Sequence, residues 1–95
     1  MPRVVHAAER SRYELVVDDA VVGHLEYSER RGGDVALLHT EVDERRQEKG
    51  LGSALVRGVL DDLRAREVRI VPLCPFVRAF LERHPEYRDL VATDA

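Results

Sequence analysis

Cys74, His39 and the run Arg45-Arg46-Gln47-Glu48-Lys49-Gly50-Leu51-Gly52-Ser53 are the residues through which this chain could do chemistry. Cys74 is the only cysteine and directly precedes Pro75. Proline is favoured at the first position of a helix, so the thiol falls at a helix N-cap. Unpaired N–H groups and the positive end of the helix dipole stabilise a thiolate there and lower its pKa. That makes Cys74 a candidate nucleophile. His39 lies on a strand expected beside the strand that leads to Cys74, so its imidazole could take the thiol's proton. A lone Cys and a lone His also occur as ordinary core residues, and both readings stay open. His6, His24 and His84 have no comparable context. One Cys with scattered His gives no zinc spacing, and Ser11, Ser28 and Ser53 sit in no nucleophile elbow.

The basic run offers a different kind of chemistry. Gly50 and Gly52 stand between a strand and an amphipathic helix, with Arg45, Arg46 and Lys49 beside them. A helix N-terminus presents free N–H groups, glycines let a ligand approach the backbone, and the cations add charge. The combination suits a phosphate or pyrophosphate. The Walker pattern is excluded because Lys49 precedes Gly50 and the spacing is wrong. The dinucleotide fingerprint would put Leu55 at its third glycine and needs a parallel βαβ unit near the chain start. Gln47-x-x-Gly50-x-Gly52 remains, a Gln/Arg-x-x-Gly-x-Gly/Ala pattern. A helix entry with turning glycines and solubilising arginines would read the same way.

The positioning elements follow from periodicity. Residues 12–17, 21–29 and 34–42 read as three strands joined by tight turns at 18–20 and 30–33. The third is apolar on both faces over Val35 to Leu38, which places it centrally. Residues 4–6 could add a short edge strand. From Gly52 to Glu67 the period is helical: Leu55, Val56, Val59, Leu60 and Leu63 share one face, while Arg57, Asp61, Arg64 and Glu67 face water. Asp62 and Arg66 form an i,i+4 pair, and Gly58 suggests close approach to the sheet. Residues 68–73 read as a fourth strand and 75–84 as a second helix. The rest reads as a loosely docked tail, with 88–95 loosely ordered. The predicted class is α+β, a mixed sheet with an antiparallel meander in the order β-β-β-α-β-α. The third and fourth strands should run parallel through a right-handed crossover.

Composition limits the function. Ninety-five residues suit one domain, 1–95. A net charge of -3 argues against a general nucleic-acid binder. No apolar segment near Met1 resembles a secretion signal and no apolar run approaches 18 residues, so a cytoplasmic location and no membrane contact are expected.

The loop, with a meander before it and a strand after its helix, resembles the pyrophosphate loop of the GNAT superfamily of acyl-CoA-dependent N-acetyltransferases. Residues 39–42 (HTEV), 50–56 (GLGSALV) and 72–87 (PLCPFVRAFLERHPEY) narrow this to a resemblance to the small, single-domain GNAT-like subfamily, over about residues 4 to 88. RRQEKGLG departs from the more arginine- and glycine-rich loop expected there. The resemblance implies acetyl-CoA or coenzyme A as cofactor and an amine acceptor: protein, peptide or small amine. It also implies strands that splay apart to admit the pantetheine arm near Glu41 and Val42. The pyrophosphate would rest on the N–H groups of Lys49 to Ser53, helped by Arg45, Arg46 and Gln47. Pro75, Phe76 and Phe80 would line the cofactor, with the thioester near Cys74. Catalysis would then run through Cys74 with His39, or by direct transfer with Glu41 as base. A CoA-binding module with little turnover is the alternative. Larger members wall the acceptor side with helices between their first two strands; here that link is only residues 18–20, so the acceptor side should be open.

Overall fold

A computed structural model describes residues 1–46 and 49–92. Five strands form one sheet in sequence order: β1 (Arg3–Ala7), β2 (Arg12–Val17), β3 (Ala20–Glu29), β4 (Val35–Val42) and β5 (Ile70–Pro72). The first four are antiparallel and β5 runs parallel to β4. Between β4 and β5 lies α1 (Leu51–Ala65), and α2 (Pro75–Arg83) follows β5. This is the expected α+β mixed sheet, with residues 4–6 realised as a full edge strand.

The sheet has two unlike faces because side chains alternate along each strand. Tyr13, Leu15, Leu25, Tyr27, Val35 and Leu37 form one core cluster with Leu55, Val56, Val59, Leu60 and Leu63 of α1 and Val77, Phe80 and Leu81 of α2. Each large apolar side chain buried this way contributes about 1.5–3 kcal/mol before entropy is counted. The other face carries a ladder of polar residues across three strands. Arg12, Glu26 and His39 stand in one row, and Glu14, His24 and Glu41 in the next. Arg10 and Arg12 both donate to the buried Glu14 carboxylate.

A β-bulge breaks the alternation in β4. Glu26 pairs with His39 and Tyr27 with Leu37, so Leu38 is the extra residue. Without it, His39 would share the core-facing side with Leu37. With it, Thr40 does, opposite the fully buried Leu25. Bulges re-aim side chains in this way.

β5 pairs with β4 over three residues only, Ile70, Val71 and Pro72. The Leu37 carbonyl then accepts from both Leu73 and Cys74 N–H, and the chain turns off into α2. The strand is shorter than the expected 68–73. β4 continues to Val42 beyond the end of β5, so its edge there is not paired by that strand.

Two expectations are corrected. Residues 85–92 are not loosely docked. Pro85–Leu90 form a 3₁₀ turn that buries Tyr87 and Leu90. The Tyr87 hydroxyl donates to Asp61 at 2.7 Å, Val91 bridges to Ile70, and Ala92 N–H donates to the Ile70 carbonyl. The first two strands are joined by Ala8–Ser11, including a 3₁₀ turn, and Asp18 and Asp19 connect the second strand to the third. The expected shortness of the link survives that change of position.

Candidate active site

Beyond the end of β5, β4 borders a cavity of about 440 Å³ lined by Thr40, Val42, Gly50, Leu51, Gly52, Ser53 and Phe76. Its floor is the start of α1. Gly50 caps that helix in the left-handed region, at φ 82°, where an L residue is strained. The first bond from the cap carbonyl is to Ala54 N–H at 2.8 Å. Among the described residues no side chain caps the helix, and its first turn holds no acidic residue. The N–H groups of Leu51, Gly52 and Ser53 therefore meet the cavity with the positive end of the helix dipole behind them. This chemistry fits a diphosphate. The Phe76 ring forms the facing wall, packed over Gly52: a Cβ there would lie 2.7 Å from Phe76 Cζ.

The basic residues are disposed unequally. Arg45 forks onto Asp43, with Nε 3.2 Å from Oδ1 and Nη2 3.1 Å from Oδ2. These bonds hold the Asp43 carboxyl below its usual range. Arg46 donates its backbone N–H to the Asp43 carbonyl. Lys49 is exposed at the cavity's entrance turn. Gln47 lies outside the described residues.

Cys74 is not in the cavity lining and lies behind Thr40, which is. It is the N-cap of α2, extended at φ -73° and ψ 126°, as a residue before proline prefers. It is 3% exposed. Its Sγ lies 3.4 Å from Thr40 Oγ1. Burial raises the thiol's pKa. The Thr40 hydroxyl and the amides of Val77, Phe76 and Thr40 together outweigh that effect and hold Cys74 below its ordinary 9.0. The sulfur makes no cap hydrogen bond of full geometry, so the helix amides act on it mainly as a nearby field.

The thiol's expected partner is corrected. His39 does not face Cys74. It stands in the polar ladder on the other face, with Nε2 3.4 Å from Glu41 Oε1 and its ring 6.3 Å from that of His24. Glu41 shares that face and lines a shallow groove with His24, Asp43 and Glu44 instead of the cavity. Thr40 is the residue that meets the sulfur; it lies within the HTEV stretch, but only the bulge reveals which of its residues points inward. Phe80 is also corrected. It is fully buried under Arg57 and stacked on His84, because it shares α2's inner face with Val77 and Leu81. Pro75 is exposed at the first position of α2 and is not part of the lining.

Comparison with known proteins agrees with this arrangement. A GCN5-like protein of Staphylococcus aureus, named for N-acetyltransferase activity and solved in solution, aligns with 98% of this chain and 90% of its own, at TM-score 0.71 and 17% identity. A ribosomal-protein-alanine N-acetyltransferase from Brucella melitensis biovar Abortus 2308 aligns with 87% of this chain at TM-score 0.57 and 19% identity. The aligned region spans 62% of that protein. Both likenesses establish the fold. Residues 12–90, most of the chain, match the sequence profile of the GCN5-related N-acetyl-transferase family. With the glycine-capped helix beside the edge of β4 already in place, the match makes this chain a member of the GCN5-related N-acetyltransferases.

Proposed function

We propose that the chain binds acetyl-CoA in the cavity between β4 and α1 and transfers the acetyl group to an amine through Cys74. The amides of Leu51, Gly52 and Ser53 would take the diphosphate, with Lys49 and Arg46 adding charge. The pantetheine arm would run along the unpaired edge of β4 past Thr40 and Val42. The Cys74 thiolate would attack the thioester carbonyl. The new C–S bond to Cys74 forms as the bond to CoA breaks, and CoA leaves as a thiolate. The acceptor amine then attacks acetyl-Cys74, forms the amide and returns the sulfur as a thiolate; the amine's proton goes to the departing CoA thiolate or to water. No side-chain base is needed for the first step if the thiol is already ionised.

The observation that carries this reading is the placement of the Cys74 thiol, at the N-cap of α2 and against Thr40, which lines the cavity. With no long segment between β1 and β2, the acceptor side is open, which suits a protein lysine, an N-terminus or a polyamine. The burial of Cys74 favours one other reading, a CoA-binding module in which the thiol only packs. Mass spectrometry after incubation with acetyl-CoA separates the two. The transfer reading predicts a single acetyl adduct that is absent in Cys74→Ala. An unmodified wild-type protein that still binds CoA rules out transfer through Cys74.

A further inference from the structure

We infer that Thr40 is the positioning residue for Cys74: its hydroxyl, 3.4 Å from the sulfur, donates to the thiolate and holds it against the cavity wall. The inference rests on the reading of Cys74 as the acetyl-accepting nucleophile. Three observations converge on Thr40. It touches Sγ. It lines the cavity that would hold the thioester, while the buried sulfur lies behind it. And it owes its inward direction to the bulge at Leu38, which turns His39 to the opposite face.

The chemistry of the hydroxyl decides its role. Between a hydroxyl and a thiol either atom can donate, but a thiolate can only accept. Thr40 therefore favours the ionised sulfur. A threonine hydroxyl near neutral pH is no base, so it cannot do what an imidazole there would do. It lowers the cost of the charge and leaves the proton on its own oxygen throughout. The amides of Phe76 and Val77 act on the same sulfur from α2. Groups from β4 and from α2 thus meet at the thiol. Losing a hydrogen bond to a charged group should change the thiolate population at a fixed pH by about tenfold.

The test uses the free protein. Cys74 is the only thiol, so ultraviolet thiolate absorbance and the pH profile of iodoacetamide alkylation report on it alone. Thr40→Val keeps the shape and removes the donor. Its thiol should titrate at higher pH, and alkylation on the acid side of the profile should slow by about tenfold. Thr40→Ser should restore the wild-type profile. If Thr40→Val does not fold, Thr40→Ala removes the same donor with no added bulk. Thr40→Val and Thr40→Ala profiles that overlay the wild type would overturn the inference, as would a shift that Thr40→Ser fails to reverse. Because no acetyl-CoA is present, a missing acetyl adduct in the other experiment sinks the transfer reading and leaves this titration interpretable.

Discussion

Replacing Gly58 by Ala should destabilise the fold and leave coenzyme A binding intact. Gly58 lies mid-helix in α1, where Ala ordinarily gains about 1 kcal/mol over Gly. Here the added Cβ would fall onto Val4 Cγ2 and 2.8 Å from Val4 Cβ in the edge strand β1. Overpacking of this kind costs about 1–3 kcal/mol. With the propensity gain set against it, a loss of about 1 kcal/mol remains. For a chain of 95 residues that lowers Tm by roughly 4–8 °C. The lesion is local to one pair, so adding Val4→Ala to Gly58→Ala should recover at least about 0.5 kcal/mol relative to the sum of the single changes. Thermal unfolding of the four proteins, with calorimetric titration of CoA, measures every term. A Tm unchanged or raised in Gly58→Ala would refute the close approach of α1 to β1. A large loss of CoA affinity would refute the separation of that contact from the cavity.

Other outcomes follow from the same structure. Replacing Arg45, Arg46 and Lys49 together by Gln should weaken CoA binding by about tenfold at low salt and flatten its salt dependence; an unchanged affinity would show that the loop does not hold the phosphates. Leu90→Ala should cost about 2–4 kcal/mol in denaturant unfolding, because Leu90 is 7% exposed within the core; a loss below about 0.5 kcal/mol would restore the picture of a loose tail. Hydrogen bonding by Arg12, reinforced by Arg10 and opposed by burial, holds Glu14 below its ordinary 4.5. A depressed carboxylate stabilises the fold above the unfolded pKa and loses that contribution as pH falls through the lower folded value. Glu14→Gln should therefore flatten the Tm profile between those two pKa values, and a profile parallel to wild type there would contradict the Arg10–Glu14–Arg12 cluster.

Much of this molecule is legible in its residues. Alternation marks β2, β3 and β4, the 3.6 period marks α1, and Cys74 before Pro75 marks the cap of α2. The two glycines after a basic run mark the anion-binding helix start. What stays hidden is what local pattern cannot encode. The Leu38 bulge adds one residue to β4 without any compositional trace, and it decides that Thr40 and not His39 meets the thiol. The tail holds only Tyr87, Leu90 and Val91 as apolar anchors, too few to signal an element, yet each finds a partner in Asp61, the core or Ile70. Phe80 is aromatic and near the cavity in sequence, but its spacing from Val77 and Leu81 turns it into the core.

The most direct measurement is a titration of the protein with coenzyme A, followed by backbone amide chemical shifts and by thermal unfolding. Binding at the α1 N-terminus predicts the largest shifts at Leu51, Gly52 and Ser53, with a smaller response at Val42. It also predicts heat protection worth about 2.7 kcal/mol at a hundredfold excess over Kd. Amide spectra that do not move over these residues, together with an unchanged Tm, would contradict it.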